Sequence, residues 1–388
     1  ASVFSAMSGT IILCIFPSRV DVCHAHLVVH YKTEPFLPNI YDCVVCLTSN
    51  SSDQFPDAND KMSGQFQSFR TVQPLPGFLA VALVAAISWA ALTGYEYLAL
   101  DLYPVREEPP VFTPYFLLRS LFALAIAGAL VGVLFWRAAG TGLDHERLAP
   151  TSMILTLAVM LAGYCLTAVF LADPETFRAM AEEDSATEWL SALLIFIASG
   201  LFAIEAIGGA RKRGNGWLGR LQFAVAGSFA LLFFLIAMEE ISWMQRIAGF
   251  DTPTEIEEIN WQGEFNFHNI HTDLSETVYY SGAGIFLLLF PLLRDTVRAG
   301  VGAIDALLDF APARSVAAIS APTAMFNYGH WNLIPVQVTA FVALLVMLAF
   351  AQAARRRGDI GEAWLFGFLA VGIVLGQAIF LALGERML

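Results

Sequence analysis

The chain has 388 residues, 57% hydrophobic and only 14% charged, where an ordinary soluble domain carries about 25% charged residues. With a mean hydropathy of +0.63, this excludes a water-soluble globule and places most of the chain in lipid. The formal net charge of -13 speaks against nucleic acid as a partner, because phosphate binding needs clustered Lys and Arg.

Residues 1–61 differ in character from the rest of the chain. They hold four of the five cysteines (Cys14, Cys23, Cys43 and Cys46). Their apolar run, Ile11–Phe16, is too short to span a bilayer, and a signal peptide's basic start and long apolar core are missing. A competing reading is a small metal-binding arm built from Cys23, His24, His26, Cys43 and Cys46, although these lack zinc-finger spacing. Met62 opens a stretch, MSGQFQSFR, that reads like a bacterial cytoplasmic N-terminus. We therefore expect 1–61 to be a disordered or non-native extension and 62–388 to be the integral membrane body. Only Cys165 lies in that body, as a small packed residue, so no disulfide framework builds it.

Long apolar runs then recur at 77–99, 115–136, 152–172, 188–209, 220–240, 274–293, 333–353 and 361–383. Each is about 20 residues, enough for a helix to cross a ~30 Å hydrocarbon core. The expected fold is all-α, a polytopic transmembrane bundle of about eight or nine helices. The stretch 299–326 is apolar but carries Asp305, Asp309, Arg314, Pro312 and Pro322. It reads as a ninth span, a re-entrant piece or an interfacial helix.

Orientation is set by Lys and Arg. The loop Arg211, Lys212, Arg213 and Arg220 is the most basic, so it belongs in the cytoplasm, with Arg137 and Arg147 on the same side. The acidic loops 100–114, 173–187 and 241–273 then face outward. Arg355, Arg356 and Arg357 reach the cytoplasm only if 299–326 returns the chain across the membrane, which favours the nine-crossing or re-entrant reading. The expected location is a bacterial inner membrane, with the bilayer and other membrane proteins as partners.

Ionisable groups at span ends are costly and need an explanation. Glu96, Arg119, Glu188, Glu239 and Glu240 all fall at outer ends, with Arg246, Glu264, His268 and His271 in the loop after the fifth span. Glu205, in the inner half of the fourth span, is the exception. Were the fifth helix to run on to Ile247, Glu239, Ser242 and Arg246 would share one face. Glu239 would then pair with Arg246 or Arg119, and Trp243 would sit in an interfacial aromatic belt. Glu239, Glu240 and His268 are the candidate acid–base groups. Arg119, Glu188, Ser242, Trp243 and Arg246 are candidates for ion pairing or holding a substrate. Glu264, His268 and His271 have the i, i+4, i+7 spacing of a helical face that binds a divalent metal. A capping box at Asp273 and Glu276 would break that face after His271. The plainer reading of all these charges is a network that ties helix ends together. Glu182, Glu183 and Asp184 read as a solvated acidic lip and His330 as interfacial.

The strings EDSATEWLSALLIF (183–196) and EEISWMQR (239–246) resemble motifs of an uncharacterised family of bacterial multi-spanning membrane proteins. Asn260, Gln262, Glu264, His268 and Asn269 fit the same pattern. The resemblance covers roughly 183–270 and implies a membrane architecture without an activity. Met244 stands where it leads us to expect glycine.

Three functions are compatible with this pattern. One is an accessory or assembly subunit whose charges are structural. Another is a membrane enzyme acting on a lipid or lipid-linked substrate at the outer leaflet. The third is a transporter, which should show repeats or broken helices in matched halves.

Overall fold

The computed structural model describes residues 75–102, 112–141, 147–181, 186–213, 216–260, 263–297, 302–326 and 334–383. The extension 1–61, the acidic residues at 182–184 and His330 lie outside these. Among the described residues there is no strand, and eight helices are long and apolar enough to cross a membrane. The protein is a polytopic helical membrane bundle.

The crossings are α1 (Leu75–Leu100), α2 (Pro114–Thr141), α3 (Pro150–Ala172), α5 (Ala186–Arg213), α6 (Trp217–Glu240), the composite α9–α10, α13 (Ile334–Arg356) and α14 (Ile360–Leu383). A short α4 (Pro174–Ala181) comes directly after α3. Pro114, Pro150 and Pro174 each open a helix, where a missing N–H costs nothing and the fixed φ is already helical. In the sixth crossing, α9 (Thr272–Gly284) and α10 (Phe290–Thr296) are joined by a π-helical turn, Ile285–Leu289. Pro291 explains it: its ring cannot fit behind the carbonyl of residue 287 in a regular α turn, and widening the turn relieves that clash.

Side-chain contacts fix the direction of each crossing. Helices α2 and α13 run parallel: Phe116 packs beside Ala340, Gln337 donates to Ser120, and Arg356 lies over Phe135. The sixth crossing runs the same way, with Tyr280 against Val336 and Gly284 against Thr339. A Cβ on Gly284 would overlap the Thr339 methyl, so only glycine permits that approach. Helix α14 returns antiparallel to α13, Phe350 meeting Phe366. Helix α3 runs with α14, because Leu148 N–H reaches Glu362 at one end and Phe170 and Phe177 pack with Ile379 and Leu383 at the other. Helices α5 and α6 form an antiparallel hairpin lined by Phe202, Phe229 and Phe233. One end of the bundle thus gathers Arg147 and Arg355–Arg357. The other gathers Glu96, Glu188, Glu239 and Glu240. We call these the basic and acidic ends.

The sixth and seventh crossings are consecutive and parallel, so the chain between them must traverse the bundle. It does so through α11 (Gly302–Leu308), α12 (Arg314–Ser320) and a 3-10 turn, Ala321–Phe326. Arg314 lies level with Glu362 at the basic end. Met325 touches Gly376, fourteen residues further along α14. Seven α residues and six 3-10 residues rise about 22 Å, which matches that climb. Nearly every residue from Arg314 to Met325 is buried, and Gln377 donates to the Ala324 carbonyl. Backbone this irregular survives at membrane depth only when protein surrounds it. The ambiguous stretch is therefore a buried return path, neither a lipid-facing span nor an interfacial helix.

Candidate functional site

At the acidic end α6 stops at Glu240, and the expected run to Ile247 does not form. Ser242, Trp243 and Met244 adopt φ of 44°, 54° and 65°, and the turn closes with Met244 N–H on the Ile241 carbonyl at 2.9 Å. Three consecutive left-handed residues with side chains cost about 1–2 kcal/mol each. Side-chain hydrogen bonds hold them there. Ser242 Oγ donates to Glu264 Oε2 at 2.5 Å and accepts from Asn266 Nδ2 at 3.2 Å. Trp243 Nε1 donates to Glu239 Oε1 at 2.6 Å. Bonds to a carboxylate contribute about 1.5–3 kcal/mol each, enough to offset the strain.

The chain then folds back on this turn as a cap, with two short helices, α7 (Gln245–Ala248) and α8 (Thr254–Glu257). Glu239 Oε2 accepts from the backbone N–H of Phe267 at 2.7 Å and of His268 at 3.1 Å, with His268 Nδ1 3.5 Å away. Arg246 Nη2 meets Glu264 Oε1 at 2.5 Å. Gln245 bridges the cap, accepting from Phe265 N–H and donating to Thr252. Buried Asn260 donates to Asn266 Oδ1 and to the carbonyls of Glu264 and Asn266.

The structure thus brings together Glu239, Trp243 and His268 in one group and Ser242, Arg246 and Glu264 in another, joined through the turn. Glu240 and Glu188 are half-buried at the same end, Glu240 on the last turn of α6 and Glu188 on the first turn of α5. Arg119 departs from the expected pairing with Glu239. Its Nε closes on Glu96 Oε1 at 2.8 Å, both side chains 7% exposed, and Tyr115 donates to the same oxygen. That pair fastens α1, which buries little else in the bundle, to α2.

The metal face is also corrected. Residues 264–267 are irregular, His268–Ile270 is a 3-10 turn, and His271 caps α9. Glu264, His268 and His271 therefore do not share a helical face. Glu264 is held by Ser242 and Arg246, and among the described residues no three His, Cys, Asp or Glu side chains are grouped for a metal.

Sequence reasoning missed a second network, at the basic end. Arg314 bonds Asp295 at 3.1 Å and faces Glu362 at 3.6 Å. Glu362, 1% exposed, also takes Arg357 at 2.6 Å, and Arg147 pairs with Asp359. The signal was present in part, since each of these charges borders an apolar run, but nothing local pairs Asp295 with a residue nineteen positions on. No family model, curated protein or solved structure matches the chain.

Proposed function

We propose that the protein is an accessory or assembly subunit of a bacterial inner-membrane complex, its basic end in the cytoplasm and its cap on the outer face. The orientation rests on Arg147 and Arg355–Arg357 collecting at one end. The role rests on one observation: the Glu239 and Glu264 carboxylates are turned onto N–H and O–H donors of the cap itself. Groups whose hydrogen bonds are spent within the cap shape a rigid outer platform.

A second reading, an enzyme acting on a lipid or lipid-linked substrate, draws on the strained turn Ser242–Met244, because strain of this kind concentrates at active sites. Glu240 would be its acid. A transporter is less well supported, since the return path 302–326 has no broken counterpart among the described residues of the other half.

Native gel electrophoresis of membranes in mild detergent separates these readings. The wild-type protein is expected in an assembly well above its own 42.3 kDa. Glu239→Gln should release it as an inserted monomer, and Glu240→Gln should leave the assembly intact. A wild-type protein that migrates alone overturns the proposal. So does a folded Glu240→Gln variant whose membranes accumulate an unprocessed lipid.

A further inference from the structure

On the cap the ring of Phe265 packs against both Phe250 and Phe267, with centroids 5.7 Å and 6.0 Å apart. Phe250 is 40% and Phe267 54% exposed, and Ile247 on α7 is 67% exposed. The chain runs from Phe267 into α9, where Leu274, Val278 and Ile285 are exposed at i, i+4 and i+11, a single helical stripe. That stripe lies largely on a helix long and apolar enough to cross a membrane, so the exposed apolar residues of the cap lead along the chain into a membrane-crossing segment. The cap also carries Asp251, Glu255, Glu257 and Glu258, all exposed.

We propose that the cap seats the exposed side chains of Ile247, Phe250 and Phe267 in the outer leaflet, at the boundary between headgroups and acyl chains, and favours zwitterionic over anionic lipid. Large apolar side chains beside an anchored helix end partition into that boundary. Charge decides the lipid class. From Ile247 to Leu293 the sequence has no Lys or Arg, and Arg246 is engaged by Glu264. An anionic headgroup would meet four carboxylates and no free cation, while the ammonium of a choline or ethanolamine headgroup is drawn to them. The inference goes beyond the assembly role and does not depend on it; the leaflet it names rests on the orientation proposed above.

The test uses the full chain, its five native cysteines replaced by alanine, with a polarity-sensitive fluorophore on a single cysteine at Phe250, Ile247 or Glu257. Each protein is reconstituted into vesicles of phosphatidylcholine and phosphatidylglycerol. Labels at 250 and 247 should emit at shorter wavelength and resist aqueous iodide, while the label at 257 should be quenched by it. Spin-labelled phosphatidylcholine should quench the labels at 250 and 247 about twofold more than spin-labelled phosphatidylglycerol. The 247 site guards against a defect at 250, because Ile247 stands outside these ring contacts. Iodide quenching of both 247 and 250 in these vesicles would overturn the seating, as would shielding that arises only when native membranes supply a protein partner. Equal quenching by the two lipids would overturn the selectivity.

Discussion

Met244 carries a φ of 65° with a side chain that is 38% exposed, so it bears the cost of the left-handed region and little compensating burial. Glycine adopts that region without a steric penalty. Met244→Gly should therefore raise the thermal midpoint in detergent by about 1–2 °C, corresponding to a net gain of about 0.5–1 kcal/mol after the added chain entropy of glycine. A lower midpoint would mean that Met244 makes a contact worth more than its strain. Its neighbours differ: Ser242 and Trp243 hold the same backbone region because Glu264 and Glu239 reward it.

At the scale of elements, the buried return path depends on the glycines of α14. A Cβ on Gly376 would stand 2.5 Å from Met325 Cβ and 3.0 Å from Met325 Cα. The second clash is with backbone, so no rotamer relieves it. Gly376→Leu should destabilise the protein by about 1–3 kcal/mol through overpacking. Gly367→Leu, on the same helix with nothing within 4 Å of its Cβ position, should be nearly neutral. Equal thermal midpoints for the two variants would show that 321–326 does not pack as described. This element also marks where sequence reading stops. Helices such as α3 and α14 were legible to within two residues, because apolar length is a local property. The left-handed turn was not, because two of the residues that hold it, Glu264 and Asn266, lie more than twenty positions from Ser242. For 299–326 the triplet Arg355–Arg357 favours a passage back across the membrane, which the bundle shows, but the course of Arg314–Met325 was not legible, because its partners Asp295, Glu362 and Gln377 lie far along the chain.

For the whole molecule, the return path changes the parity of the chain, and parity can be read from two positions. Ile360, 55% exposed, comes just after the turn between α13 and α14 at the basic end. Glu257, exposed on the cap, marks the acidic end. Between them lie the sixth crossing, the return path and α13, three passages in all, so the two positions must face opposite sides of the membrane. Were 302–326 to stay on one side, there would be two passages and both positions would face the same way. With native cysteines removed, Glu257→Cys should react with an impermeant maleimide on intact cells and Ile360→Cys only after permeabilisation. Labelling of both from outside, or of neither, would refute the return path. Labelling of Ile360→Cys alone would keep the path and invert the orientation, setting Arg355–Arg357 outside against the usual retention of basic loops in the cytoplasm. The two outcomes are separable because parity is set by packing within the bundle, while orientation is set by charge acting across the bilayer.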